Sequence, residues 1–212
     1  PAFVFFFQLL FPFRRVARPR SRVAAAAGGC VLVRRSVLKE AGGLAGVRGE
    51  IIDDVALAKA VKGAGGRTWL GFDPGICSLR SYSRLSGLWA MVSRTAFTQL
   101  RHSLALLLLT QAALAVFVVS PPIVIGWVLS AMPSALEAAS ISLERALVWA
   151  TLTWGLMGVA LLPAVRYHRV PVAYSLSLPL AGFVFALMTT HSAWNYWRGA
   201  GSSWRGRRIG RL

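Results

Sequence analysis

The chain has 212 residues, 56% hydrophobic and 15% charged, with a mean hydropathy of +0.58; soluble domains carry roughly 25% charged residues, so the composition excludes an ordinary soluble domain and indicates a membrane protein with a polar part. The 24 Lys+Arg against 7 Asp+Glu give a net charge of +17, which suits an anionic partner, and with no zinc spacing, base-reading basic helix or aromatic strand signature to go with it, anionic membrane lipids are expected and nucleic acid is not. Cys30 and Cys77, without a CxxC, exclude a disulfide framework and a zinc site, and His102, His168 and His191 are scattered.

The basic excess is heaviest early: residues 1–102 hold 16 Lys+Arg against 5 acids, residues 103–212 hold 8 against 2. The opening run "PAFVFFFQLLFPF" is too short to span a bilayer, which needs about 20 helical residues, and reads as a membrane-contacting or buried helix. With neither an initiator Met nor a charged leader ahead of it, the run is not expected to be a signal peptide but to continue from a longer protein. "RRVARPRSR" (14–22) is a basic loop. "AAAAGGCVLVRR" (24–35) predicts a buried strand, because its apolar run ends in two arginines and Gly28-Gly29 permits close backbone approach. A short helix capped by Ser36 and ended by Gly42-Gly43 follows, then the loop "GVRGEII".

The next helix starts at an adjacent acidic pair, Asp53 and Asp54, and stops at Gly63, Gly65 and Gly66. Carboxylates at a helix start meet free N–H groups and the positive end of the dipole. One acid is enough for that, and a second adds like-charge repulsion, so general-base work is the other reading of the pair. "RTWLGF" and "ICSLRSY" predict two further strands around an Asp73-Pro74-Gly75 turn.

Residues 83–102 predict an amphipathic helix, with Leu85, Leu88, Trp89, Val92 and Ala96 on one face and Arg84, Arg94 and Arg101 punctuating it; that face suits the membrane interface or packing on the α/β core, or both. Three apolar segments follow at 103–132, 146–163 and 171–190, the first broken by Pro121-Pro122 and the third by Pro179. Both "RYHR" (166–169) and the tail 198–211, with five Arg, belong on the cytoplasmic side by the positive-inside rule. Three full crossings would separate the tail from the polar part, so either the Pro121-Pro122 segment or the Pro179 segment must be re-entrant or a hairpin. The sequence leaves both open.

"GGCVLVRR", a Gly-Gly turn, "DDVALAKAVKGAG", "RSYSRLSGLWAMVSRTAFTQLRHS", three apolar segments and the tail "HSAWNYWRGAGSSWRGR" occur in that order. Together they resemble the C-terminal portion of a family 2 glycosyltransferase of GT-A fold, and in particular the hopene-associated glycosyltransferases of bacterial hopanoid biosynthesis. The resemblance implies an α/β partial GT-A-like domain at 1–82 carrying the acceptor side, an interfacial helix at 83–102, a transmembrane region at 103–190 and a basic tail at 191–212. It implies a multi-pass protein of the bacterial inner membrane with its catalytic part in the cytoplasm, transferring sugar with inversion from a nucleotide-sugar donor to a lipid acceptor.

By position in that family, Asp54 matches the catalytic base, Asp53 its acidic neighbour, and Gly28, Gly29 and Cys30 the acceptor-side strand. A (Gln/Arg)-x-x-Arg-Trp motif of related members corresponds to "SRTAFTQLR", where Phe97 stands near the expected Trp and Ala96 replaces the Arg. Arg94, Gln99 and Arg101, with Trp204, Arg205 and Arg207 in the tail, are the remaining phosphate- or donor-contact candidates. The family's donor half, with an Asp-x-Asp holding Mg²⁺ or Mn²⁺, precedes this region. No Asp-x-Asp occurs in the chain, so no metal ligand is assigned in it and the chain alone is expected to be inactive. A non-enzymatic membrane anchor or assembly protein, with the acids as a helix cap, is the alternative.

Overall fold

The structure, a computed structural model, describes residues 1–73, 75–76, 84–131, 137–199, 202–204 and 207–209. The described residues are mainly helical. The helices are α1 (Ala2–Leu10), α2 (Phe13–Val16), α3 (Arg35–Glu40), α4 (Asp53–Gly63), α5 (Leu85–Gln99), α6 (Leu104–Ala113), α7 (Ser120–Ala131), α8 (Glu137–Tyr167) and α9 (Leu178–Trp197). Short 3₁₀ turns lie at Leu44–Val47 and Val172–Ser177, and a π-helical stretch at Leu114–Val119 joins α6 to α7.

Among the described residues the expected α/β domain is not formed. Residues 24–34 form no strand: they are irregular with a turn at 28–30, pair with no strand among the described residues, and leave Leu32 99% exposed, where a sheet strand would bury it. Residues 67–72 are irregular, and most of "ICSLRSY" lies outside the described residues. An extended segment becomes a strand only when a neighbour takes its N–H and C=O groups, and α3 and α4 bring none beside either stretch. The strands among the described residues are β1 (Ser202–Trp204) and β2 (Arg207–Ile209), an antiparallel hairpin in the tail.

What organises residues 1–73 is a small apolar cluster. Phe11, Val16, Ala25 and Val55 are buried together, with Phe7, Val23, Ile52 and Leu70 packed around them. Val55, Leu57, Ala58 and Val61 form the buried face of α4, as the spacing of apolar residues in that helix predicts. Gly42 and Gly43 end α3 with φ of +89° and +68°, a region glycine enters without steric cost. The basic loop 14–22 is clamped: Lys62 Nζ donates to the carbonyls of Val16 at 2.8 Å and Val23 at 2.6 Å, and Thr68 Oγ1 also donates to Val16 O at 3.0 Å. Burial lowers the Lys62 pKa from its ordinary value.

α1 joins this cluster to the membrane part. Phe7 and Phe11 face the polar part, while Phe5 and Phe6 pack on a second cluster of Leu161, Val165 and Leu178 together with Val118. Phe6 also meets Phe185, with ring centroids 4.6 Å apart.

Three helices are long and apolar enough to cross a membrane: Leu104–Ala131, Ile141–Tyr167 and Val172–Trp197. The first continues through Pro121-Pro122. The π turn ahead of them rearranges the bonding that two missing N–H groups would disrupt, and Ser120 Oγ donates to Val116 O at 2.6 Å. The second likewise continues through Pro163 to Tyr167.

The interfacial segment forms α5, which lies on the C-terminal half of α9. Phe97 is 1% exposed and is ringed by His102, Tyr196 and Trp197 at centroid distances of 5.4–5.6 Å. Its N–H donates to Ser192 Oγ at 3.0 Å.

Candidate active site

The acidic pair occupies the first two positions of α4. Ile52 stands at the N-cap and offers no side-chain bond, so the free N–H groups turn to the acids. Asp53 Oδ1 accepts from Asp54 N at 3.0 Å, and Asp54 Oδ1 accepts from Val55 N at 2.7 Å. The other Asp54 oxygen reaches out of the helix and accepts from Gly28 N at 2.8 Å. A carboxylate oxygen has two lone pairs, so each Asp54 oxygen keeps room for a second partner. Asp53 is exposed and Asp54 half-buried.

The turn around Gly28 is shaped by this bond. A Cβ at Gly28 would stand 3.1 Å from Asp54 Oδ2, whereas one at Gly29 would meet nothing within 4 Å. Cys30 follows, exposed and unpaired, its N–H donating to Ala27 O at 3.1 Å. Gly28 and Asp54 are therefore in contact, Gly29 and Cys30 continue the same exposed turn, and Asp53 lies beside Asp54.

The phosphate- and donor-contact candidates lie in α5, just beyond it, and in the tail. Arg94 is half-buried in α5, Gln99 is its last residue, and Arg101 is exposed just beyond, with φ of +53°. His102 follows at φ +54° and stacks on Tyr196 with centroids 4.2 Å apart. Two consecutive non-glycine residues in the left-handed region are uncommon; Arg101 N bonds Thr98 O and His102 N bonds Phe97 O, which closes the end of α5. In the tail, Trp204 lies opposite Arg207 in the β1–β2 register, and Arg205 is outside the described residues.

An apolar groove of about 370 Å³ lies between α5 and α9, lined by Trp89, Leu187, Thr190, His191 and Trp194. Trp89 Nε1 donates to His191 Nδ1 at 2.7 Å. Two histidines that are far apart in the sequence thus both serve the α5–α9 contact, a pairing that helix periodicity alone does not reveal. Among the described residues no three His, Cys, Asp or Glu side chains could together hold a metal ion. Asp73 is engaged locally, its Oδ1 accepting from Gly75 N at 2.8 Å. No chemical step is assigned to a divalent ion.

Residues 4–209 match the family described as glycosyl transferase family 21. The chain belongs to that family. Neither a curated protein nor a solved structure gives a match. For a family 21 glycosyltransferase, three helices able to cross a membrane are compatible with a membrane-bound enzyme. The sequence resemblance was to family 2, and the match found is to family 21.

Proposed function

We propose that this family 21 chain forms the acceptor-side and membrane part of an enzyme that moves a sugar from a nucleotide-sugar donor to a lipid acceptor, with inversion at the anomeric carbon. Asp54 is the general base. Its carboxylate takes the proton of the acceptor hydroxyl as that oxygen bonds to the anomeric carbon. The bond from that carbon to the nucleotide diphosphate breaks at the same time, and the leaving group carries away the electron pair. Cations near the leaving phosphates would stabilise the charge that develops there, a role open to Arg94, Arg101, Arg205 and Arg207, with Gln99 and the Trp204 indole as neutral donors.

The observation that supports this reading is the double fixing of Asp54, by Gly28 N–H from one side and Val55 N–H from the other. A base held in one rotamer beside Gly28 and Gly29, which carry no side chains, is accessible to a hydroxyl without reorganising. A lipid acceptor is favoured by the apolar helix α1, which joins the acid-bearing part directly to the apolar helices. A hopanoid-related lipid in a bacterial inner membrane is the acceptor and setting implied by the resemblance.

The same two bonds favour a second reading, in which Asp54 is a latch between α4 and the Gly28 turn. Asp54→Asn in the active enzyme separates them. General-base catalysis contributes about 10²–10⁴-fold, so the base reading expects transfer to fall by that order with little change in Tm. A drop in Tm with transfer per folded molecule retained would leave only the latch.

A further inference from the structure

We infer that the third apolar segment, Val172–Trp197, does not cross the membrane: it dips in beside α8 and returns to the face it left, so that the chain crosses twice and its tail lies on the same side as the acidic pair. This does not depend on the proposed function. The helix directions carry it. α9 runs antiparallel to the first apolar helix, as three contacts in order establish. Ala193 packs with Leu107, Gln111 Nε2 donates to Ala186 O at 3.1 Å and to Thr190 Oγ1 at 3.2 Å, and a Cβ on Gly182 would stand 2.5 Å from Val118 Cγ1. α8 is antiparallel to the same helix: five residues connect it to α7, against which it packs, and Val118 packs on the cluster of Leu161, Val165 and Leu178.

Two consecutive helices that are both antiparallel to a third are parallel to each other. The chain between them must therefore run back. It does so as the 3₁₀ segment Val172–Ser177, which descends along α8: Val170 N bonds Val165 O near the top, Gly158 faces Leu176 and Ser175, and Trp154 Nε1 donates to Leu176 O at 3.0 Å. At the bottom the chain reverses at Leu178-Pro179, four residues before Gly182, which stands level with Val118. The turn therefore lies about 18 positions into the first helix, roughly 27 Å at 1.5 Å per residue, still inside the roughly 30 Å hydrocarbon core.

Non-helical backbone is tolerated at such depth only where protein satisfies its polar groups. The turn meets that condition. The Trp154 indole takes Leu176 O, Ser177 Oγ donates to Tyr174 O at 2.7 Å, and Pro179, at the start of α9, has no N–H to satisfy. α9 then emerges at Trp194, Tyr196, Trp197 and Arg198, beside Phe97 and the start of the first span. Interfacial aromatics and arginine are the residues expected at a membrane surface.

Charge agrees independently. Two crossings gather the basic residues 14–22, Arg101, "RYHR" and the five-Arg tail on one side, and leave residues 133–145, with Glu137, Glu144 and Arg145, on the other. This satisfies the positive-inside rule, which three crossings violate.

Thiol labelling tests the topology in the membrane-embedded full chain. Cys77→Ser leaves the exposed Cys30 as a marker of the acid-bearing part. In a background lacking both cysteines, Ser203→Cys marks the tail and Ser134→Cys the α7–α8 connection. A membrane-impermeant maleimide applied to sealed vesicles of known orientation is expected to reach the thiols at 30 and 203 from one side and that at 134 from the other. Labelling of position 203 from the side of 134 would overturn the inference. Because a substitution can disturb insertion, a C-terminal fusion to green fluorescent protein or to alkaline phosphatase, made without other changes, gives a second reading. Fluorescence without phosphatase activity is expected, and the reverse pattern overturns the two-crossing topology.

Discussion

Gly28 N–H and Asp54 Oδ2 are 2.8 Å apart across 26 positions of chain, and this bond ties the glycine turn to the start of α4. Nothing else could occupy position 28 without pressing on the carboxylate, since a Cβ there falls 3.1 Å from the oxygen and 3.5 Å from Asp54 Cβ. Gly28→Ala should therefore shift the acid rather than strain the backbone. Misplacing a catalytic group by about 1 Å can cost on the order of 10²-fold, so transfer by the natural enzyme should fall by about ten- to a hundredfold. Gly29→Ala, which meets open space, should leave it within about twofold of normal under the same accounting. Equal activities in steady-state assays of the two variants would show that Asp54 does not need its position.

Much of this could be read from the residues. The start of α4 at Asp53, the stop of α3 at Gly42-Gly43, the helix at 85–99 and the three apolar segments follow from local rules of capping, glycine φ and period. The strands at 24–35 and 67–72 did not form, because apolar runs bounded by glycine and arginine do not state whether a neighbour exists to pair with them. The contact of Gly28 with Asp54, the clamp of Lys62 on Val16 and Val23, and the meeting of Trp89 with His191 are tertiary. No spacing in the chain encodes them. The conflict between charge and three crossings was legible; its resolution at Pro179 required the helix directions.

Lys62 holds the loop that contains Arg20 and Arg22, both exposed. Lys62→Met removes the donor to two carbonyls while keeping the apolar stem over Val16. One hydrogen bond is worth about 1 kcal/mol net, or roughly fivefold in the time the loop spends open. Cleavage after Arg20 and Arg22 by trypsin under native conditions should therefore speed up several-fold. Thr68→Val, which removes one of the three bonds, should have a smaller effect. An unchanged cleavage rate in Lys62→Met would mean that the clamp contributes nothing to the loop.

Phe97 and Ser192 join α5 to α9. Phe97 is 1% exposed and surrounded by rings, so Phe97→Ala should cost about 3–5 kcal/mol. Ser192→Ala removes the acceptor of Phe97 N–H and should cost about 1–3 kcal/mol, the penalty for an unsatisfied buried group. Thermal denaturation in detergent should rank the first below the second. The Trp89–His191 bond should loosen in both variants, seen as a change in Trp fluorescence. A Phe97→Ala protein as stable as the parent would mean that α5 is not docked on α9 in solution.

Gly182 sets the distance between α9 and the first apolar helix. Close helix approach in a bilayer relies on small residues, since lipid supplies no hydrophobic force between helices. A Cβ at 182 would stand 2.5 Å from Val118 Cγ1, 3.3 Å from Val118 Cβ and 3.8 Å from Phe6 Cζ. Gly182→Ala should thus lower stability in detergent by about 1–3 kcal/mol, the usual cost of overpacking, whereas Gly126→Ala, which meets nothing within 4 Å, should not. Val118→Ala removes the two methyl groups in the way. The double variant should recover part of the loss, and the coupling between residues in contact is commonly 0.5–3 kcal/mol, so a value of about 1 kcal/mol is expected. Additive effects in this cycle would separate the two side chains. The level at which α9 meets the first span, and with it the depth assigned to the Pro179 turn, would then lose its support.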